Sequence, residues 1–496
     1  MLTYQDLLEI PDSDDRRMAF TRSVITEHKS SELYRMAEMG YEYDHKRNTT
    51  ITNYEKTLRT LTGREVVDRW SPNHKTTRNF FNYFTTQQNQ FLLGNGVTWQ
   101  DESTADKLGE DFDTQLQKAG KIALVQGEAF GFFNLDHLEV FELREFAPLY
   151  DEENGSLRAG VRFWQIADNK PLRATLYEED GYTSYIWNER DPQGKLISGG
   201  RVFEDKKPYI QKIQTSEAEG TVIYDGGNYP SFPIVPLWGN PLHQSELVGI
   251  QEQIDAYDLI KNGFLNDLDT SQLYWIIKGA GGMDDIDLAQ FMSRLKQTHF
   301  ASLDDGQEAE PVTIDIPYNA RETLLDRLER DLYKDYGALN VDEIKGGAVT
   351  ATQILAAYEP LNTKADQYEY CLHDFLNGIL TVMGIDDENP TFTRSKLINV
   401  SEDVQTVLQA SEVLDDEYIT EKILNLLGDG DMYEEVQERK EADELERGGL
   451  MEDEYLDEAE EEPEDIDLES ELSEVDDANE IDELITMLEE MLKELE

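Results

Sequence analysis

The sequence predicts an α+β protein in which a strand-rich section lies between helical stretches. From position 21 to 125 apolar residues recur at helical spacing. From 130 to 238 aromatic and β-branched residues are dense and are separated by turn signals, which is typical of strands. Helical spacing returns after Pro241. A hydrophobic fraction of 39% over 496 residues is enough to build a core.

The first half of the chain predicts three helices and a hairpin. The helices are expected at 21–48, at 73–93, where Gly94 ends the pattern, and at 105–125. Within the strand-rich section, Asn154-Gly155 between two apolar runs predicts a hairpin.

The second half predicts longer helices around a small insertion. A helix with an apolar seam from Leu247 to Leu268 is expected at 245–269, and a second at 319–339. Between them, strands at 274–278 and 312–316 and a short helix at 288–295 predict a small α/β insertion. A glycine-bearing loop follows at 340–349, then a helix at 350–383 interrupted by Pro360, which should kink it. Residues 396–442 are again helical in pattern.

Composition excludes several classes of protein. With 105 acidic and 44 basic residues the net charge is −61, which repels nucleic acid, so a sequence-reading DNA-binding protein is not expected. No stretch has the roughly 18 apolar residues of a membrane helix, and the N-terminus lacks the pattern of a signal peptide. A single cysteine, Cys371, provides no disulfide framework. We therefore expect a cytosolic chain without membrane association.

No motif for catalysis or cofactor binding is present. The sequence contains neither a P-loop nor H-E-x-x-H nor G-x-S-x-G, and Asp284 replaces the third glycine of a dinucleotide motif that starts at Gly279. We predict no enzymatic activity, no cofactor and no metal.

The C-terminal 56 residues are distinct in charge. Residues 441–496 carry 27 acidic and 2 basic residues. The part at 443–479 is predicted to be extended, solvating charge. Residues 481–495 regain helical periodicity, and our hypothesis is that this short helix docks on an assembly partner such as a scaffolding protein.

The order of these parts resembles the portal proteins of tailed double-stranded DNA phages, specifically the long-tailed siphophage type. The likeness extends over about residues 21–442 and rests on collinear segments rather than on one motif. These segments are FLLGNGV (91–97), FAPLYD (146–151), PIVPL (233–237), IDAYD (254–258) and YITEKIL (418–424).

The resemblance implies a portal fold with named parts. An N-terminal arm and mixed helical/β wing would span 1–240, joined by a kinked wing helix at 350–384. Stem helices would lie within 241–269 and 317–339, with a small α/β clip at 270–316 and a tunnel loop at 340–349. A helical crown would occupy 385–442, followed by the acidic tail at 443–496.

The resemblance also implies a function and partners. Family members form a ring, a homododecamer, at one capsid vertex of the virion, and DNA passes through it during packaging and ejection. The implied partners are other copies of the chain, double-stranded DNA, the terminase large subunit, a head-completion or adaptor protein, scaffolding protein and the major capsid protein. Assembly would take place in the cytoplasm of the bacterial host.

The resemblance also assigns candidate roles to a few residues, each beside a plainer structural alternative. Asn340, Lys345, Gly346 and Gly347 would face DNA in the tunnel loop, with Lys345 the cation nearest to it, although Lys345 could equally be an ordinary exposed lysine. Lys261 and Lys334 could face the channel, the outer surface or an ion-pair partner. Tyr274 and Trp275 could form a docking surface or a buried clip strand. Pro360 could act as a hinge or a static kink.

Two other functions remain open at this stage. One is an acidic hydrolase with its site in the strand-rich section, since 105 carboxylates offer many pairs. The other is an acidic scaffold that mimics DNA and binds a basic partner.

Overall fold

The computed structural model describes most of the first 395 residues and one helix beyond them. The described residues are 2–11, 13–59, 63–69, 71–190, 199–216, 220–270, 275–278, 308–311, 317–344, 351–385, 388–395 and 415–427, with isolated positions up to 440. The chain divides into two compact units, Met1–Lys396 and Leu397–Glu496. The predicted short helix at 288–295, the predicted strand at 312–316 and the acidic tail lie outside the described residues, apart from position 290.

The described part of the chain mixes helices with antiparallel strands. The helices are α1 Tyr4–Leu8, α2 Asp14–Ser30, α3 Glu32–Asp44, α4 Thr49–Thr52, α5 Phe80–Leu93, α6 Glu102–Leu108, α7 Phe112–Gln126, α8 Gln251–Thr270, α9 Tyr318–Tyr336, α10 Val341–Ile344, α11 Ala351–Met383 and α12 Asp416–Leu427. The strands are β1 Thr57–Arg59, β2 Glu65–Val67, β3 Val97–Thr98, β4 Glu128–Asn134, β5 His137–Glu142, β6 Phe146–Tyr150, β7 Leu157–Trp164, β8 Leu172–Glu178, β9 Gly181–Trp187, β10 Arg201–Lys207, β11 Ile210–Ser216, β12 Gly220–Gly227, β13 Ile234–Trp238, β14 Trp275–Lys278, β15 Glu308–Pro311 and β16 Thr391–Phe392.

The described strand-rich section contains the two-stranded pair β11-β12 and two larger sheets. One has the order β10-β9-β8-β7-β6 and the other β13-β4-β5, and every described strand pair is antiparallel. Helices α1 and α2 cover one face of the five-stranded sheet through Leu7, Val24 and Ile25. Helices α7 and α11 pack on the three-stranded sheet, where Phe375 is fully buried. The α+β prediction is therefore confirmed as a mixture of helices and antiparallel strands.

The three predicted N-terminal helices are each shorter or interrupted. The first is broken at Ser31, whose hydroxyl accepts the Tyr34 N–H (3.1 Å) and starts a new helix. The third is broken at Gly109, which has a φ of 90° that favours glycine. The second begins at Phe80 rather than at 73, because backbone N–H groups of residues 74–78 bond to side chains of α8.

The hairpin at Asn154-Gly155 is confirmed. Strands β6 and β7 pair on either side of it, with Leu149 opposite Ala159. The predicted long helix is also confirmed, as α11, but it continues through Pro360 without a break.

The helices after Pro241 are confirmed with shifted ends. Helix α8 starts at Gln251 rather than 245, because Ser245 instead donates its hydroxyl to the Val125 carbonyl (2.6 Å). Helix α9 ends at Tyr336, where Gly337 adopts the left-handed conformation of a helix C-terminus. Between them, β14 pairs antiparallel with β15. Of the helical pattern at 396–442, the described helix is α12, whose Ile419 is buried.

Candidate functional site

Helices α8 and α9 pack side by side in opposite directions. Tyr257 near the middle of α8 donates to Glu329 of α9 (3.3 Å). Toward the end of α8, Asp267 forms an ion pair with Arg321 near the start of α9 (2.5 Å). Phe264, half-buried, meets Tyr318 edge-on with 5.5 Å between the ring centres. The two helices that flank the insertion therefore form an antiparallel pair.

An aromatic cluster joins this pair to α5. Phe84 is fully buried, stacks on Tyr336 (4.9 Å between ring centres) and meets Tyr333 edge-on (5.0 Å). Phe80 meets Tyr257 edge-on at 5.1 Å. Burial raises the pKa of Tyr333 to about 12, so its hydroxyl stays neutral at physiological pH. The cluster is the apolar core that packs the helix pair against α5.

The second half of α8 is held by a ladder of buried polar side chains. Three of them, spaced four residues apart, accept backbone N–H groups from alternate residues of the extended segment 74–78. Asn262 also donates to the Thr76 carbonyl (2.7 Å), so it bonds this backbone in both directions. The rungs are Arg78 N–H to Asp258 Oδ1 (3.0 Å), Thr76 N–H to Asn262 Oδ1 (2.8 Å) and His74 N–H to Asn266 Oδ1 (2.8 Å).

This ladder corrects the predicted apolar seam. The predicted stripe continued through Phe264 and Leu268, but both are only half-buried, whereas Asn262 and Asn266 are buried. The buried residues of α8 are mainly apolar as far as Tyr257, and beyond it they are Asp258, Asn262 and Asn266. The 258, 262 and 266 spacing of Asp and Asn was the signal in the sequence that could have revealed this change.

Asp258 is the only ionisable rung. It is fully buried, and burial raises its pKa to about 6, while the Arg78 N–H and the Asn48 amide (2.6 Å) oppose this shift. Lys261 lies one turn away, half-buried, and its charge also lowers the pKa of Asp258. Sequence reasoning identified Lys261 but missed Asp258.

Two predicted residues, Lys334 and Pro360, line one cleft of about 760 Å³ between the end of α9, the start of α8 and α11. Both are exposed. At its wall Lys364 forms an ion pair with Glu246 (2.6 Å), and both side chains are largely buried. Burial lowers the pKa of Lys364, and the Glu246 carboxylate opposes this shift. This ion pair was not predicted from the sequence.

The remaining predicted residues are distributed as follows. Asn340 is half-buried and its side chain accepts the Asp342 N–H (3.1 Å) at the start of α10. Trp275 lies on β14 in register with Pro311. Lys345, Gly346, Gly347 and Tyr274 lie outside the described residues.

The paired helices are acidic. Helix α8 has five acidic residues and one basic residue, and α9 has five acidic and four basic residues. Among the described residues no helix is long and apolar enough to cross a membrane, and no group of three His, Cys, Asp or Glu is placed to hold a metal. The helix pair therefore carries a net negative charge.

Comparison with known proteins identifies the family. The model of the phage portal protein family described as SPP1 Gp6-like matches residues 22–446, which is most of the chain. The chain belongs to the SPP1 Gp6-like family of phage portal proteins.

Two portal proteins with this likeness come from phages of Bacillus and Clostridium. The portal protein of Bacillus phage SPP1 is 22% identical over 400 residues, covering 72% of this chain and 74% of that protein. The portal protein of Clostridium phage phiCD119 is 25% identical over 342 residues, covering 63% of this chain and 71% of that one. Portal proteins of this family are structural proteins.

Among solved structures, a chain from the neck of a native GTA particle computed with C12 symmetry is similar, with a TM-score of 0.36 and 10% identity. The match covers 69% of this portal-family chain and 89% of that chain.

Proposed function

We propose that this chain is the portal subunit of a tailed phage. Copies form a dodecameric ring at one capsid vertex of the virion, and double-stranded DNA passes through the ring during packaging and ejection. The observation that carries the proposal is the family match over residues 22–446.

In this proposal α8 and α9 are the two stem helices. Their antiparallel pairing and acidic surfaces support the role, because a conduit should not bind DNA tightly. Each phosphate contact by Lys or Arg would add salt-dependent affinity and slow the movement of DNA. Lys261 and Lys334 are the proposed channel-facing cations on these helices, and the loop 340–349 contributes Asn340, Lys345, Gly346 and Gly347.

The other segments take the roles that the family implies. Residues 1–240 and 350–384 form the wing, 270–316 the clip and 385–442 the crown. The clip, with Tyr274 and Trp275, is the proposed docking surface for the terminase large subunit and for the head-completion protein. Pro360, exposed at the cleft beside Gly337, is the proposed hinge between the tunnel loop and the wing. Scaffolding protein and the major capsid protein complete the set of assembly partners.

Electron microscopy of the purified full-length protein at high concentration, alone and coexpressed with its scaffolding protein, tests the proposal. Rings with a central hole and twelve-fold symmetry are expected in at least one preparation. A chain that stays monomeric in both would overturn it.

A Lys345→Ala variant tests the tunnel loop within assembled rings. Slower DNA packaging by rings of normal appearance is expected, with Lys170→Ala, at an exposed site between β7 and β8, as the control. An unchanged packaging rate would remove Lys345 from the proposed channel.

A further inference from the structure

The segments before and after α5 carry opposite net charges. Residues 45–79 contain eight basic and three acidic residues, a net charge of +5 in a chain whose total is −61. Helix α5 has no charged residue, and residues 94–113 contain one basic and six acidic residues, a net charge of −5. Helix α5 has 14 residues and is therefore about 21 Å long, so opposite charges are held apart at its two ends.

The basic end carries a largely exposed two-stranded ribbon, of which the structure describes residues 54–59 and 63–69. Within the described residues β1 pairs with β2 alone, with Thr57 opposite Val67 and Leu58 opposite Val66. These two pairs lie on opposite faces of the ribbon. Leu58 is 44% exposed and Val67 42% exposed, so each face presents an apolar side chain. A ribbon of this kind is marginally stable by itself, because it buries little apolar surface.

The base of the ribbon is nevertheless fixed. The Asp68 N–H donates to the Lys56 carbonyl (2.8 Å), and the Lys56 ammonium donates to the Pro72 carbonyl (2.6 Å). The segment that follows is pinned to α8 by the ladder. The ribbon therefore projects from the stem helix in a preformed position, which lowers the entropic cost of binding through it.

Two arginines of the ribbon offer cations to a partner. Arg59 and Arg69 are both exposed, and neither forms an ion pair within the part of the chain that the structure describes. Arg59 follows the exposed apolar residue Leu58, and Arg69 lies two positions after the exposed Val67. Basic groups mixed with apolar ones fit an acidic protein surface.

The acidic end of α5 is such a surface. Asp101, Asp106, Glu110 and Asp111 are exposed on and around α6, at the far end of α5 from the ribbon. A ribbon held to its own stem helix is kept away from this surface by the length of α5. A second copy of the chain can supply the acidic surface. The ribbon of that second copy is then free to bind the acidic surface of a third copy.

We propose that the ribbon of one subunit docks on the acidic segment 98–113 of the next subunit. This contact is head-to-tail, the type that closes into rings when the rotation between copies allows it. The inference rests on the proposed ring and names the surfaces that join its subunits. The acidic residues Glu55, Glu65 and Asp68 within the ribbon favour a protein partner over the phosphates of DNA.

Paired cysteines test the contact in the full chain. The native Cys371 is buried, and burial raises the pKa of its thiol to about 11, so it stays unreactive toward maleimides at neutral pH. The double variant Leu58→Cys with Asp106→Cys, treated with a bismaleimide much shorter than α5, should give a ladder of covalent oligomers. Each single variant alone should remain monomeric on a denaturing gel, and a mixture of the two single variants should give dimers.

The outcomes separate this inference from the proposed ring. Wild-type rings without any cross-link in the double variant would overturn the ribbon contact and leave the portal function standing. Dimers from Leu58→Cys alone would overturn it in favour of a symmetric contact between ribbons. The absence of wild-type rings would overturn the proposed function as well.

Charge reversal provides an independent readout. Arg59→Glu with Arg69→Glu should weaken association about tenfold, and adding Asp106→Arg with Asp111→Arg should restore it. The matched control is Arg35→Glu with Lys170→Glu, which changes the net charge equally at exposed sites outside both segments. Equal weakening by the control, or no restoration, would contradict a specific contact.

Discussion

The two halves of α8 are attached to the rest of the chain by different kinds of contact. In the first half Ile254 and Tyr257 are buried in the apolar cluster with Phe80, Leu332 and the other residues of that core. In the second half Asn262 and Asn266 are just as inaccessible, but their amide oxygens accept backbone N–H groups of segment 74–78.

The difference matters because apolar burial is non-directional and hydrogen bonding is not. Four residues of a helix rise about 6 Å, and two residues of an extended chain span about 6.6 Å, so alternate N–H groups match side chains one helical turn apart. A slip of one residue would leave those donors unpaired. The apolar half supplies stability, whereas the polar half fixes where segment 74–78, and the ribbon before it, lies along α8.

Truncating the aromatic cluster should have the largest effect. Phe84→Ala removes a fully buried ring from between Tyr333 and Tyr336 and should lower the free energy of unfolding by about 3–5 kcal/mol. Denaturant unfolding measures this loss of free energy. Tyr83→Ala is the matched control on the same helix; because Tyr83 is 42% exposed, its loss should cost about 1 kcal/mol or less. Equal losses would mean that the cluster is not the apolar core described here.

Removing the side chain of Asn262, the middle residue of the ladder, should lower the free energy of unfolding by less, and its effect should be local. Asn262→Ala leaves the Thr76 N–H and carbonyl without their side-chain partners, a loss of about 2–3 kcal/mol. Hydrogen exchange should show lost protection at the amides of His74, Thr76 and Arg78, while amides of α5 stay protected. Unchanged protection at Thr76 would show that the ladder does not hold this segment.

The ionisable rung should make stability depend on pH. The pKa of Asp258 is raised to about 6, so the folded state favours the protonated carboxyl. Its contribution to stability is complete below the ordinary pKa of 3.8 and is lost as pH rises through about 6. The neighbouring groups are the Arg78 N–H, Asn48, Lys261 and Asp255.

Asp258→Asn removes this titration. Relative to wild type, the variant should gain up to about 3 kcal/mol between pH 4 and pH 8, since one pKa unit corresponds to about 1.4 kcal/mol. The new amide can donate to Asn48 Oδ1, which has no hydrogen-bond partner within the described residues. Denaturant unfolding at several pH values measures the difference, and parallel pH profiles for the two proteins would contradict the assignment.

The same contrast explains how much the sequence could predict. Apolar periodicity revealed the helix pair, the hairpin at Asn154-Gly155 and the long helix with Pro360, because each is set by local spacing and turn chemistry. The ladder was missed because its polar residues interrupt an apolar stripe, and their partners are backbone groups about 180–190 positions away. The Lys364–Glu246 ion pair was missed for a similar reason, since only the fold brings α11 to the start of α8.

The smallest predicted effect is a gain in stability next to the ladder. Gly263 lies inside α8, and an added Cβ would meet no atom within 4 Å. Gly263→Ala should therefore raise the free energy of unfolding by about 0.5–1 kcal/mol, by lowering the entropy of the unfolded chain. Gly337→Ala is the opposing control, because a φ of 80° makes alanine unfavourable there.

Comparing the effect of Gly263→Ala on monomer stability with its effect on ring formation tests what the second half of α8 does. Gly263 lies in a small cleft of about 120 Å³ together with Tyr54 at the start of the ribbon and Leu259. If the ribbon reaches the next subunit from a fixed base, a methyl group at Gly263 should stabilise the monomer and leave rings intact on microscopy. A stabilised monomer that no longer forms rings would mean that the neighbouring subunit contacts α8 itself. In that case the ladder would stabilise a helix of the interface, and positioning the ribbon would not be its main role.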